Sequence, residues 1–305
     1  MPSDTPPRLF DRALLRRRRD RAAASLPDCG FLVERAAEDL LDRLLPVVRD
    51  FPLALALGGG GSIGRALAYQ TDAAAKIGTL IETDLSPRHA AGGGMTLAMD
   101  EEAFAVADES LDLVVSPLAL HWTNDLPGTL IQINRALKPD GFFAAALIGG
   151  ASLTELRQSL MAAEAELFDG VNARVSPFAD AQDLSALLQR AGFALPVADV
   201  DRMTVRYDTM FDLMRDLRGM GETSALVSRP RKPATKALFL RAAEIYAERF
   251  SDADGRIRAT FEIIHAAGWA PHPGQPKPKR PGSATVRLAD ALGVREQSAG
   301  EKAGG

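Results

Sequence analysis

Four consecutive glycines, Gly58 to Gly61, directly follow the short apolar run at residues 53–57. This pattern is typical of a buried strand that ends in a tight turn. Because glycine has no Cβ, the backbone can pass close to a ligand there, and the helix that follows offers unpaired N–H groups. We therefore predict that Gly58 and Gly60 contact a nucleotide-type ligand; a turn that is merely tight is the alternative.

Acidic residues follow the next two strands. Asp84 closes the strand predicted at 79–83, roughly 20 residues past the glycines, where an acid can accept hydrogen bonds from both ribose hydroxyls. Asp100 and Glu101 follow the strand predicted at 95–99, where a carboxylate can bind an adenine amino group or ligand amides. The alternatives are a helix cap or loop acid for Asp84 and a solvated acidic turn for the pair.

His121 and Trp122 come just after the strand predicted at 111–116. Ligands of parallel sheets gather at the carboxyl ends of the strands, so we predict that both residues line a substrate pocket. The histidine can act as a base and the tryptophan can form a wall. A capping histidine beside a packed tryptophan is the alternative, and no catalytic residue is assigned.

The composition limits the function classes. The 305 residues are 46% hydrophobic and 25% charged, with a net charge of −4, so no global field favours nucleic acid. Cys29 is the single cysteine, which excludes an internal disulfide and fits a reducing compartment. No H-x-D or H-E-x-x-H unit occurs, so we predict no metal site. No apolar run reaches the roughly 18 residues of a membrane span, and we expect no transmembrane segment.

The N-terminal region is rich in arginine, with Arg12, the run Arg16 to Arg19, and Arg21. Asp11 and Asp20 weigh against an organelle-targeting peptide, because such peptides avoid acids. We predict a basic helix at 10–24 that faces a partner or solvent.

Strands and helices alternate along the chain, which predicts an α/β fold with a doubly wound parallel sheet. Further helices are predicted at 31–48, 63–75, 126–137, 153–168, 183–191, 210–217 and 235–250, and further strands at 141–148, 197–207 and 258–265. We divide the chain into an N-terminal helical extension (1–50), an α/β domain (51–270) with a helical lid inserted around 209–250, and an extended tail (271–305).

The segment Leu137-Lys138-Pro139-Asp140-Gly141 resembles the L-K-P-G-G element of class I S-adenosylmethionine-dependent methyltransferases. With the glycine turn, Asp84 and Asp100, it favours that fold over a dehydrogenase. The resemblance implies a seven-stranded sheet whose last strand is antiparallel. It also implies S-adenosylmethionine as the cofactor, bound across the ends of the first strands.

Further motifs resemble the methyltransferase-like assembly factors of respiratory complex I in mitochondria and alphaproteobacteria. They are Phe10-Asp11-Arg12, Leu120-His121-Trp122-Thr123-Asn124-Asp125-Leu126-Pro127, Ser176-Pro177-Phe178, Met220-Gly221-Glu222 and Gly282-Ser283-Ala284-Thr285-Val286. The wider group is similar to the malonyl-carrier-protein methyltransferase of biotin synthesis. The resemblance implies action on a protein partner, with arginine hydroxylation of a complex I subunit as the proposed chemistry. It implies a cytoplasmic location in a bacterium, or the mitochondrial matrix in a eukaryote.

One departure from that family concerns the glycine motif, which reads D-x-G-C-G-x-G in the family. Here Ala56 replaces the acid and Ser62 replaces the last glycine. Loss of a charged hydrogen bond to the cofactor costs about 1.5–3 kcal/mol, or roughly 10- to 150-fold in affinity.

Three functions remain open at this stage. A methyltransferase needs no protein nucleophile, because the sulfonium supplies the methyl group and the protein aligns it. A modifying or assembly protein, including a hydroxylase, is the second, although no iron triad stands in the sequence. A non-catalytic binding module with a degenerate cofactor site is the third, and Ala56 favours it.

Overall fold

The computed structural model describes residues 8–90, 94–168, 170–231, 233–276, 290 and 293–294. Contacts divide the chain into two compact units, residues 1–271 and 272–305. The N-terminal helices belong to the same unit as the sheet. In the second unit, the Gln275 N–H donates to the His272 carbonyl in a short turn. The motif at 282–286 and most of the tail predicted at 271–305 lie outside the described residues.

Seven strands form one sheet in the order β3-β2-β1-β4-β5-β7-β6. The strands are β1 (Phe51–Leu57), β2 (Ile77–Asp84), β3 (Met95–Ala98), β4 (Leu111–Pro117), β5 (Leu137–Ile148), β6 (Ala194–Tyr207) and β7 (Ile257–Trp269). The first five pair in parallel, and β7 runs antiparallel to β5 and to β6. The prediction of a doubly wound sheet with an antiparallel last strand is therefore confirmed.

Ten α-helices are found in the described residues. They are α1 (Arg12–Ala22), α2 (Leu26–Cys29), α3 (Phe31–Asp42), α4 (Ser62–Leu67), α5 (Thr71–Lys76), α6 (Leu126–Ala136), α7 (Thr154–Leu167), α8 (Ala181–Arg190), α9 (Met210–Gly219) and α10 (Lys236–Phe250). None of the helices in this described part is long and apolar enough to cross a membrane.

The structure corrects two helix predictions and adds one helix that was not predicted. The helix predicted at 31–48 ends at Asp42, ahead of Pro46, which has no N–H to continue the helical hydrogen bonds. The helix predicted at 63–75 is two helices, because the backbone of Gln70 leaves the helical region with ψ of 74°. The short helix α2 has no counterpart in the sequence prediction; at four residues it is too short to show a periodic pattern.

Each face of the sheet has its own core. One face packs against α3, α4, α7, α9 and α10, and the other against α6 and α8. A smaller hydrophobic cluster packs Phe10 and Leu15 of the α1 region against residues from three other segments. Its members are Phe10, Leu15, Leu85, Trp122, Ala225 and Leu226. It fixes α1 at the carboxyl ends of the strands, the edge where the predicted site residues lie.

Candidate functional site

The glycine turn leaves β1 with all four glycines at positive φ, between 57° and 82°. A Cβ on Gly58 would lie 2.3 Å from the Ala119 Cβ, and one on Gly60 would lie 2.4 Å from Leu26 Cδ2. The turn is thus pressed against the segment after β4 on one side and against α2 on the other. Glycine is required here by the protein's own packing as well as by backbone geometry.

Position 56, where the family has an acid, lies beside an acidic residue of the adjacent strand. Ala56 pairs in register with Glu82 of β2. The Glu82 carboxylate is buried and accepts a hydrogen bond of 2.9 Å from the N–H of Gly64 in the first turn of α4. An acidic group therefore binds the helix that follows the glycine turn, although it comes from another strand.

Asp84 lies at the carboxyl end of β2, as predicted, and is fully buried. Its Oδ1 accepts from the N–H of Ser86 at 2.9 Å and from Nη1 of Arg19 at 3.3 Å, and its Oδ2 lies 3.0 Å from Nδ1 of His89. Burial by itself raises the pKa of this carboxyl, but the charge of Arg19 and the contact with His89 hold the pKa well below its ordinary value. Asp84 is therefore ionised.

Glu101 is also fully buried, and it lies between two arginines of α1. Its Oε1 accepts from Arg19 Nη1 at 3.0 Å, and its Oε2 accepts from Arg12 Nη2. Arg12 Nη2 also donates to Asp100 Oδ1 at 2.6 Å. We call Asp84, Asp100 and Glu101 the acid cluster. The structure brings these three predicted acids together, and arginines of the same chain occupy them.

Arg12 and Arg19 both reach the acid cluster because they are seven residues apart and therefore lie on one face of helix α1. Leu15 and Ala22 lie on the same face and are buried. Asp11 caps the helix by accepting from the Leu14 N–H, and its own N–H donates to the Ala225 carbonyl. The sequence prediction that α1 faces a partner or solvent is therefore wrong for Arg12 and Arg19.

Burial by itself lowers the pKa of the Arg19 guanidinium. The charges of Asp84 and Glu101 more than offset this effect, so the pKa lies above its ordinary value. Arg19 thus stays charged while only 2% of it is exposed. A buried charge of this kind is stable only when paired, which explains why two acids converge on one guanidinium.

The acids match the chemistry of a nucleoside cofactor, but the cavity lined by Arg19, which binds two of them, is small. The cavity next to Gly59, His89 and Leu118 measures about 30 Å³. That is room for about one water molecule, whereas cofactor sites measure about 300–1,000 Å³. In this conformation Arg19 occupies carboxylate oxygens of Asp84 and Glu101 that a nucleoside would need.

His121 and Trp122 lie in a short 3-10 helix after β4, and both contact Glu222. Glu222 Oε2 accepts from Trp122 Nε1 at 2.6 Å and lies 3.2 Å from His121 Nε2. Burial raises the pKa of Glu222, but the contacts with His121 and the charge of Arg19 lower it overall. Nδ1 of His121 is buried and has no hydrogen-bond partner among the described residues.

A cavity of about 250 Å³ opens beside His121 and Trp122. We call it the apolar cavity, because most of its wall is aliphatic or aromatic: Leu32, Ile148, Leu153, Leu156, Leu160, Val175, Phe178, Met214, Leu217, Met220, Phe239 and Phe261. The hydroxyls of Ser176 and Ser224 line it, and within the described chain neither has a partner. The apolar cavity thus lies beside His121 and Trp122, the two residues predicted to line a substrate pocket.

Two leucines at this edge of the sheet adopt the left-handed backbone region. Leu118, beside the glycine turn, has φ of 50°, and Leu153, in the wall of the apolar cavity, has φ of 55°. Such conformations cost about 1–3 kcal/mol each and cluster at ligand sites.

Sequence reasoning missed Arg19, His89 and Glu222. The periodicity of α1 held a signal for Arg19, since it falls on the helix face of Leu15 and Ala22. His89 and Glu222 lie in irregular segments without periodicity, although Glu222 ends the motif Met220-Gly221-Glu222 that resembles the complex I assembly factors. Within the described ranges, no group of three or more His, Cys, Asp or Glu residues could hold a metal ion.

Comparison with known proteins identifies the family to which the chain belongs. A family model described as a methyltransferase domain matches residues 55–145. The mouse protein named arginine-hydroxylase NDUFAF5, mitochondrial, is 39% identical, with 96% of this chain and 87% of that protein covered. Malonyl-[acyl-carrier protein] O-methyltransferase of Gallionella capsiferriformans is 31% identical, with 92% and 97% covered.

Among solved structures, the YcgJ protein of Bacillus subtilis superposes with a TM-score of 0.51 at 14% identity, covering 77% of this chain and 99% of that one. That likeness supports the fold alone. The sequence matches over nearly the whole length, with the glycine turn and the acid at the end of β2, lead to one conclusion. The chain belongs to the S-adenosylmethionine-dependent methyltransferase family, in the group that includes mouse arginine-hydroxylase NDUFAF5.

Proposed function

We propose that this protein is an S-adenosylmethionine-dependent enzyme that acts on a protein partner during assembly of respiratory complex I. The observation that carries the proposal is the adjacency of two sites. Arg19, which binds the acid cluster, and Glu222 both line the small cavity beside Gly59, and Glu222 also lines the apolar cavity. A group-transfer enzyme needs a donor site and an acceptor site in contact.

On the cofactor side, we propose Gly58, Gly60, Asp84, Asp100 and Glu101 as the binding residues. Asp84 stands at the strand end where ribose is held in nucleotide-binding sheets. The bound cofactor supplies a methyl group on its sulfonium.

On the acceptor side, His121 lines the apolar cavity; its Nδ1 has no described partner, while its Nε2 contacts Glu222. A histidine oriented by a carboxylate on one nitrogen can accept a proton on the other. We propose His121 as the base and Glu222 as its positioning residue. The lining suits an acceptor with an apolar body and one polar end.

Arginine modification is the second candidate. The mouse relative is named an arginine-hydroxylase, and the acid cluster already binds a guanidinium, that of Arg19. A non-catalytic assembly factor is the third, supported by Ala56 and by the filled cofactor site. We propose a cytoplasmic location in a bacterium, or the mitochondrial matrix in a eukaryote.

Calorimetric titration with S-adenosylmethionine and with S-adenosylhomocysteine tests the cofactor side. We expect binding, and at least ~10-fold weaker binding by Asp84→Asn, since a charged hydrogen bond is lost. Asp72→Asn, at an exposed acid of α5, is the matched control and should bind like the wild type. Absence of binding at millimolar ligand would reject the methyltransferase function.

Capture of partners from cells tests the acceptor side. We expect complex I subunits to be retained, and mass spectrometry of the captured subunits distinguishes an added methyl group, an added oxygen atom on arginine, or neither. Met214→Trp fills the apolar cavity and should abolish modification, whereas Met161→Trp, at an exposed site on α7, should not. Consistent absence of complex I subunits would contradict the proposed partner.

A further inference from the structure

Helix α1 lies across the carboxyl ends of β2 and β3, and both of its inward arginines bind the acid cluster. Arg19 donates to Asp84 and Glu101, and Arg12 donates to Asp100 and Glu101. Every acid proposed to hold the cofactor is thus bound to a single helix of the same chain. We call α1 the strap.

The strap and a nucleoside compete for the same atoms. A carboxylate offers about four lone-pair positions. Asp84 already accepts from Ser86 and Arg19 and contacts His89, so little capacity is left for two ribose hydroxyls. Arg19 is nine-tenths or more buried, and the cavity that it lines measures about 30 Å³.

We propose that the strap is an internal competitor of the cofactor: S-adenosylmethionine binds only when α1 leaves the strand ends and Arg19 releases Asp84 and Glu101. This inference rests on the proposed function, since it concerns the same cofactor site. The apparent dissociation constant is then the intrinsic one divided by the fraction of molecules with the strap open. The closed state lowers affinity without any change in the binding residues.

The contacts that hold the strap closed also reach the acceptor side. The guanidinium of Arg18 donates to the carbonyls of Thr223 and Ser224, and Arg12 Nη1 donates to the Trp122 carbonyl at 3.2 Å. These three acceptor residues line the apolar cavity. Opening of the strap therefore releases part of the wall of the acceptor site.

Limited proteolysis of the wild-type protein tests the strap directly. Trypsin cleaves after arginine, and α1 carries six arginines that a docked helix protects. We expect saturating S-adenosylmethionine to speed cleavage within α1 by at least ~3-fold, whereas the same ligand should slow cleavage elsewhere in the chain. If the ligand binds by calorimetry while cleavage in α1 is unchanged or slower, the strap is overturned and the proposed function stands.

A pair of variants gives a second readout. Arg19→Ala removes the competing guanidinium, and we expect it to bind S-adenosylmethionine at least ~10-fold more tightly than the wild type. Arg17→Ala, at an exposed arginine of the same helix, is the matched control and should leave affinity unchanged. A folded Arg19→Ala protein that binds no tighter overturns the strap. If neither this variant nor the wild type binds the ligand, the strap and the proposed cofactor function both fail.

Discussion

The acid cluster and the apolar cavity lie at the same edge of the sheet but differ in how their polar groups are paired. In the acid cluster, Asp84 and Glu101 are buried and all three acids bind arginines of α1, and the cavity that Arg19 lines measures about 30 Å³. The apolar cavity is open, with about 250 Å³ and three buried polar atoms without described partners. The comparison shows that burying acids requires cations to be supplied in the absence of ligand, whereas an apolar wall can remain unfilled.

The largest expected effect comes from breaking the acid cluster. Glu101→Ala leaves Arg12 and Arg19 short of a buried partner, so we expect the free energy of unfolding to fall by about 3–5 kcal/mol. Asp108→Ala, at an exposed acid, should change it by less than about 0.5 kcal/mol. Urea unfolding measures both, and a Glu101→Ala effect as small as that of the control would show that the cluster contributes nothing to stability.

Shortening a side chain in the wall of the apolar cavity should lower the free energy of unfolding by less, because a residue that borders an open cavity has fewer packing neighbours. Leu156→Ala, in the wall of the apolar cavity, should lower the free energy of unfolding by about 2 kcal/mol. Leu40→Ala in α3, which is completely buried, should cost about 3–5 kcal/mol. Equal costs by urea unfolding would indicate that the apolar cavity is closed in solution.

Acid should weaken the polar side selectively. The folded state holds the pKa of Asp84 below its ordinary value of 3.8, so below that pH the unfolded state binds more protons than the folded one. The stability contributed by Asp84 is complete above that pH and is lost as the pH falls through the lowered pKa. We expect urea unfolding measured at pH 5, 4 and 3 to show a steeper loss for the wild type than for Asp84→Asn. Parallel curves would contradict the pairing.

The smallest effect on the free energy of unfolding should come from an exposed ion pair that belongs neither to the acid cluster nor to the apolar cavity. Arg43 makes two hydrogen bonds of 2.7 Å to Asp199, but both side chains are well exposed. Arg43→Ala should therefore lower the free energy of unfolding by no more than about 1 kcal/mol. A loss close to that of Glu101→Ala would mean that burial does not explain the difference between these ion pairs.

Much of the fold was predictable because its signals are local. The apolar run before Gly58 and the Leu137-Lys138-Pro139-Asp140-Gly141 element mark strand boundaries, and the structure has β1 and β5 there. Six of the seven strands are longer than predicted, and β7, for example, pairs with β5 and β6 as far as Trp269. Strand ends are set by neighbouring strands, which a sequence pattern does not contain.

The candidate site was predictable where a residue follows a strand directly. Asp84, Asp100, Glu101, His121 and Trp122 all come to the carboxyl edge, because parallel strands carry the residues that follow them to one side. Which groups would bind those residues was not predictable. Arg19 lies 65 positions before Asp84 in the chain, and Glu222 lies 101 positions after His121.

The sequence by itself determined the kind of fold, the family and the positions of the acids, because strand patterns, turns and motifs are properties of short segments. Only the tertiary structure decided what those acids do in the absence of ligand. The docking of α1 turned two arginines of a basic helix into buried partners of the acid cluster. A charge is buried or exposed according to what packs around it, and that depends on segments far apart in the chain.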